Sequence, residues 1–267
     1  MNPTDHSLDS PSRSAATVFS VEPESVSSKW MRMFFHAVFP VSCTTCRVPL
    51  HGDPIPFFCA ACWSKIRPFT EPRCPRCSRP FDSPLSLRYS PQHHCGDCRT
   101  RPPAYTRAWA LYPYQSPLKE AIRLFKYHGK VSLTTPLAHL MLRALPDLPV
   151  IDGILPVPLS PNRLRNREYN QSALLAFSLS RHLHIPLILS ILIRSIETVP
   201  QTSLNRRARL RNLRGAFAIQ DSRAIQGKSL LIVDDVWTTG TTINECAKTL
   251  RKAGSGPIYA LTMTRLI

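Results

Sequence analysis

From Ala104 to the C-terminus, apolar runs of strand length alternate with longer stretches of helical period. The strand-length runs are WALYPY (109–114), GILPVPL (153–159), SLLIVDDVW (229–237) and PIYALTMTRL (257–266). The helix-length stretches are 117–127, 133–145, 170–184 and 242–253. Near-continuous apolar runs mark strands buried on both faces, and their alternation with helices marks a parallel sheet covered on each side. The pattern therefore predicts one α/β domain over 104–267, a parallel sheet flanked by helices.

The first hundred residues read differently. Residues 1–29 hold eight serines and no apolar run, which predicts a disordered tail and no secretory signal. Residues 30–39 (WMRMFFHAVF) form an apolar helical turn or two, packed on the module that follows rather than on a membrane. Residues 40–103 are short segments punctuated by proline: fifteen of the 26 prolines precede Ala104, and Arg101-Pro102-Pro103 makes a stiff link. The expected division is a tail (1–29), a small module (30–103) and the α/β domain (104–267). No run approaches the roughly 18 to 20 apolar residues of a membrane span. A soluble, cytoplasmic protein is expected.

Cysteine spacing supplies the chemistry of the module. Eight of the nine cysteines form four CxxC pairs: Cys43/Cys46, Cys59/Cys62, Cys74/Cys77 and Cys95/Cys98. A CxxC turn places two thiolates on one side of a tight loop, and two turns close a tetrahedral cage for Zn2+. Four pairs predict a double zinc ribbon, with Cys43, Cys46, Cys59 and Cys62 in one site and Cys74, Cys77, Cys95 and Cys98 in the other. The interleaved pairing, first with third and second with fourth, fits the same spacing. His93 or His94 could substitute as a ligand, and one site could be degenerate. A disulfide framework needs an oxidising compartment, and iron–sulfur patterns cluster their cysteines more tightly. A closed four-thiolate site leaves zinc no position for water, so its role is structural.

Charge adds a partner class. Lys and Arg number 34 against 17 Asp and Glu, a net charge of +17, which two zinc–thiolate sites lower to about +13. Between 163 and 214 there are ten arginines, no lysine and only two acids. Such a surface suits contact with a phosphate backbone.

The segment 230–242, LLIVDDVWTTGTT, is the sharpest local signal. A buried strand ends in two acids, and a hydroxyl-rich loop leads into a helix. Ligands of open α/β sheets bind at the carboxyl ends of strands, and free amides at a helix N-terminus favour phosphate. Thr238, Thr239, Thr241 and Thr242 offer hydroxyls, while Gly240 lets the backbone approach without a Cβ. Asp234 and Asp235 beside an anion site make sense if the ligand presents sugar hydroxyls to them.

This segment resembles the thirteen-residue signature of type I phosphoribosyltransferases, which bind phosphoribosyl pyrophosphate (PRPP). The resemblance implies that Asp234 and Asp235 are the catalytic-site acids holding the ribose 2′- and 3′-hydroxyls. It implies that Thr238, Thr239, Gly240, Thr241 and Thr242 hold the 5′-phosphate, with Trp237 at the variable position. Three further blocks, LFKYHGK (124–130), LPVPLSPNRLRNREYNQSALLA (155–176) and RSIETVPQTSLNRRARLRNLRGAF (194–217), extend the similarity over about 40–267 to the ComF family of competence-associated proteins. That family joins a cysteine-rich module to a phosphoribosyltransferase domain. By analogy a pyrophosphate loop spans Pro158 to Arg167, with Arg163 and Arg167 as clamps. A mobile loop over 194–217 contributes Gln201 and Arg209, and Mg2+ bridges pyrophosphate and ribose. The sequence departs from the family at Glu168, where glycine is usual, at Arg207-Ala208, which replace an Ala–Glu pair, and at Thr241, which replaces alanine. The implied function is a PRPP-binding phosphoribosyltransferase-fold protein acting in DNA uptake or processing with uptake-machinery partners. A PRPP sensor, or a single-stranded DNA binder without turnover, is the alternative. Cys246 reads as a buried small residue, and no nucleophile-activating pair is present.

Overall fold

The computed structural model describes residues 41–267 apart from 82, 84, 89 and 196–214. The tail, the 30–39 segment, Gln201, Arg209 and Arg207-Ala208 lie outside the described residues. Ser42–Ile267 form one compact unit.

Four strands, β1 (Arg107–Pro113), β2 (Gly153–Pro156), β5 (Leu230–Trp237) and β6 (Ile258–Arg265), form a parallel sheet in the order β1-β6-β5-β2. A short antiparallel pair, β3 (Leu192–Arg194) with β4 (Phe217–Ile219), lies apart from it. Among the described residues, the helices longer than five residues are α1 (Leu118–Tyr127), α2 (Thr134–Arg143), α3 (Pro161–Arg167), α4 (Gln171–Leu183) and α5 (Thr241–Lys252).

The apolar run of β5 is divided between two cores by strand alternation. Leu230 and Ile232 join Ile243, Cys246, Ala247 and Leu250 of α5 on one face. Leu231 and Val233 join Ile122 and Phe125 of α1, Leu137 and Met141 of α2 and Leu175 and Leu179 of α4 on the other. All four strand residues are fully buried, each worth roughly 1.5–3 kcal/mol relative to exposure.

The cysteine segments run along the free edge of β1. The Phe69 N–H donates to Leu111 O at 3.0 Å, and the Ala108 N–H donates to Arg76 O at 2.9 Å. The Arg73 guanidinium donates to Ala110 O at 2.6 Å. An unpaired strand edge invites association with another chain, and here the module occupies it. At the opposite edge the segment 186–188 pairs with Ile154 of β2.

Two elements differ from the pattern read in the sequence. Residues 161–167 of the expected loop are helical: α3 starts with Pro161 at its first turn, where the missing N–H costs nothing. None of its residues is buried, so PNRLRNR carries no apolar period by which to see it. The helix stops because Glu168 takes φ +64°, the left-handed conformation that glycine adopts at helix ends without a steric penalty. The β3–β4 pair has strands too short for a periodic signal.

Candidate functional site

The carboxyl end of β5 delivers Asp234 and Asp235 to the mouth between α1 and α4. Asn170 caps α4 by accepting from the Ser172 and Ala173 N–H groups, and its own amide donates to Val157 O at 3.0 Å, tying α4 to the end of β2. That anchor places the Ser172 hydroxyl 2.9 Å from Asp234 Oδ1, which also accepts the Asp235 N–H at 2.9 Å. From α1, Lys126 Nζ lies 2.8 Å from Asp235 Oδ1. Burial, then the adjacent Asp235 carboxylate, pushes Asp234 up to about 7, against the pull of Lys126 and the Ser172 hydroxyl. Burial disfavours the Lys126 charge, but Asp235 and then Asp234 outweigh it and hold the ammonium above its ordinary range.

Beyond the acids the chain turns through Thr238–Gly240 into α5. Gly240 sits at φ +76°, and a Cβ there would stand 2.4 Å from the Trp237 ring. Glycine is required twice, by the conformation and by the indole. The Thr239 and Thr241 hydroxyls lie 2.8 Å apart, the Thr241 N–H donates to Thr239 Oγ1 at 3.4 Å, and the N-cap residue Gly240 has no side chain with which to cap α5. Its first-turn amides and dipole therefore face the loop, an arrangement that suits an anion. Thr241 is buried, Thr239 and Thr242 are half-buried and Thr238 is exposed.

A cavity of about 460 Å³ opens beside Lys126, lined also by Tyr127, Gly129, Arg163, Asn166, Arg167 and Glu168. The Arg167 guanidinium lies 4.9 Å from the Tyr127 ring centroid and donates to Gln171 Oε1 at 3.1 Å. Burial and the neighbouring Arg167 lower Arg163 from its ordinary value. Two guanidiniums on one cavity wall repel each other and call for an anion between them. Sequence reasoning singled out the acids, the threonines and both arginines. It matched the Lys126 segment to a family block but gave Lys126 no role, because the ion pair with Asp235 exists only once α1 is packed.

The cysteines form two closed sets, Cys43, Cys46, Cys59, Cys62 and Cys74, Cys77, Cys95, Cys98, with all sulfurs of a set within 4.8 Å of one another. Pairing is sequential, and neither set includes a histidine. A tetrahedral zinc site with bonds of about 2.3 Å has sulfur–sulfur edges of about 3.8 Å. Cys46 and Cys59 Sγ are 3.7 Å apart, and Cys77 and Cys95 Sγ are 3.6 Å apart. Within the second set the sulfurs compete for protons: hydrogen bonding with Cys74 pushes Cys77 up to about 12, whereas Cys77 and Cys98 lower Cys74. A divalent cation satisfies all four as thiolates at once, so the donor sets fit structural Zn2+.

The second set touches the region of the Thr238–Gly240 loop. Buried Arg265 donates to Cys77 O at 2.7 Å, with its guanidinium 5.2 Å from the Trp237 ring centroid. Tyr105 meets the same indole edge-on at 5.7 Å. Asn244 of α5 accepts the Ala104 N–H at 2.8 Å.

Fold and sites together define a phosphoribosyltransferase-type domain carrying a double four-cysteine zinc module. Family comparison agrees: residues 34–99 match a double zinc ribbon domain, and residues 170–261 match a phosphoribosyl transferase domain. The chain is 34% identical over 234 residues to "Competence protein F" of Haemophilus influenzae, covering 85% of this chain and 98% of that protein. It is 32% identical over 237 residues to "DNA utilization protein YhgH" of Escherichia coli K12, with 85% and 98% covered. The protein belongs to the ComF family of competence proteins. Among solved structures, adenine phosphoribosyltransferase from Thermoanaerobacter pseudethanolicus is similar at 15% identity and a TM-score of 0.33, over 52% of this chain and 83% of that one. Among the described residues no helix is long and apolar enough to cross a membrane.

Proposed function

We propose that the carboxyl end of β5 binds PRPP, or a related phosphoribosyl ligand, and that this site serves the uptake or processing of DNA together with uptake-machinery proteins. The observation that carries the reading is the placement of Asp234 and Asp235 one short loop before a hydroxyl-rich helix N-terminus whose N-cap is a glycine. Asp234 and Asp235 hold the ribose hydroxyls. The loop Thr238–Thr242 holds the 5′-phosphate through amides and hydroxyls. Arg163 and Arg167 clamp the pyrophosphate across their cavity. Mg2+, when bound with the ligand, spreads the charge of the pyrophosphate and needs few protein ligands. Breaking the C1′–oxygen bond leaves charge on pyrophosphate, which positioned cations stabilise. Cytoplasmic turnover of PRPP with transfer to an acceptor is the enzymatic form of this reading.

Calorimetric titration with PRPP is expected to show saturable binding that strengthens with magnesium. Absence of heat from folded, zinc-loaded protein overturns the proposal.

A nucleic-acid role is favoured by a second cleft of about 430 Å³, whose charged lining is Arg76, Arg251, Lys252 and Lys248, the last paired with Glu245 at 2.7 Å. The printed names of the relatives, competence and DNA utilization proteins, point the same way. Raising salt from roughly 50 to 200 mM is expected to weaken single-stranded DNA binding at least about tenfold. A flat response in filter binding contradicts a phosphate-contacting surface.

A further inference from the structure

Lys126 stands between two features of the site that need opposite things from it. On one side its ammonium neutralises Asp235, whose side chain is 6% exposed. On the other it lines the cavity whose remaining cations are Arg163 and Arg167. A ribose hydroxyl that donates to Asp235 competes with the ammonium for carboxylate oxygens. An anion drawn into the cavity attracts the same ammonium away. The side chain is 19% exposed and ends a flexible stem of four carbons, so turning from the acid to the cavity needs no movement of α1.

We infer that Lys126 is a transferable counterion: it holds Asp235 in the free protein and turns to the diphosphate of the ligand when ribose hydroxyls take its place. The inference rests on the PRPP reading of the site and adds a specificity rule to it. A sugar phosphate with a diphosphate at C1′ gives the released ammonium a new partner. Ribose 5-phosphate, which lacks the diphosphate, breaks the ion pair and offers nothing in exchange. Lys126 thereby selects for diphosphate-bearing ligands, a task distinct from the clamping assigned to the arginines. Asp234 has its own donors, the Ser172 hydroxyl and the Asp235 N–H, so the exchange is confined to Asp235.

The test compares PRPP with ribose 5-phosphate on unsubstituted protein, K126M, K126Q and K126R by calorimetry. K126M and K126Q are expected to lose about tenfold or more in PRPP affinity, while ribose 5-phosphate binds as well as before or better. K126R, which keeps the charge, is expected to retain most of the preference for PRPP. A residue that merely maintained the acid pair would lower both affinities in parallel, and that result overturns the inference, as does unchanged PRPP binding in K126M. If unsubstituted protein binds neither sugar phosphate, the PRPP reading itself fails. A readout independent of the variants' folding is the NMR signal of the Lys126 ε-carbon during titration of unsubstituted protein with PRPP. It is expected to shift, and a static Lys126 signal under saturating PRPP overturns the inference.

Discussion

Replacing Asp234 by Asn is expected to abolish PRPP binding while leaving the ligand-free protein at least as stable as before. On the proposed function, the binding loss follows from removing a carboxylate that would accept from ribose hydroxyls. Hydrogen bonds to a charged group contribute about 1.5–3 kcal/mol each, so losing two weakens binding by about a hundredfold or more. The stability follows from the acid's environment. Burial and the adjacent Asp235 raise Asp234 to about 7, above the value of about 3.9 for an unfolded aspartate. Between those two values the folded state holds a proton that the unfolded state has released. Stability therefore falls as pH rises through this window, and the decline ends above about 7, where both states are ionised. Asn at 234 removes that decline. Thermal melts between pH 4 and 8 are expected to slope less in D234N than in unsubstituted protein, alongside a flat PRPP calorimetric trace. Unaltered PRPP affinity in D234N would remove the acid from the site. Asp235 is a poorer choice for this test, because D235N would leave the Lys126 ammonium without its carboxylate.

Stripping zinc is expected to have the second large effect, and to reach beyond the cysteine segments. In small zinc peptides metal binding contributes roughly 10–16 kcal/mol, which is also their folding energy. Cys74, Cys77, Cys95 and Cys98 share a core with Leu230, Ile232, Trp237 and Ile243. Arg265 links Cys77 O to the Trp237 indole, and the indole closes on Gly240. Loss of the second site therefore removes one wall of the Thr238–Thr242 loop. After chelation, hydrogen exchange is expected to lose protection in β1 and at the start of α5, with native mass spectrometry showing two zinc ions per chain beforehand. Unchanged protection in α5 after full chelation would show that the loop does not depend on the module. The first site, three of whose cysteines form a separate small cluster with Leu50, is expected to matter less to the loop.

The sequence made some of this legible because the chemistry is local. A CxxC turn carries its geometry within four residues. The acids, threonines and glycine of 230–242 are consecutive, so strand, loop and helix start can be read as one unit. The four strands of the parallel sheet and four of the helices lie in stretches with enough apolar residues to show their period. What could not be read depends on long-range packing or on surface elements. Lys126 gains its partner only when α1 lies against β5. The use of Phe69, Arg73 and Arg76 to occupy the β1 edge lies in hydrogen bonds with the strand's backbone, to which composition is blind. Helix α3 has no buried residue and hence no apolar stripe. Glu168 was visible as a departure from a usual glycine, but only its φ of +64° shows that it ends a helix there. The link from Cys77 through Arg265 to Trp237 joins three distant stretches of chain, and no spacing rule encodes it.

The central claim is that the β5–α5 junction holds a phosphoribosyl ligand. A crystal structure of the protein grown with PRPP and magnesium tests it most directly. The account predicts a 5′-phosphate against the Gly240–Thr242 amides, ribose hydroxyls on Asp234 and Asp235, and a diphosphate reaching toward Arg163 and Arg167. Ligand density elsewhere on the molecule, with Lys126 still paired to Asp235 and the loop empty, would contradict it.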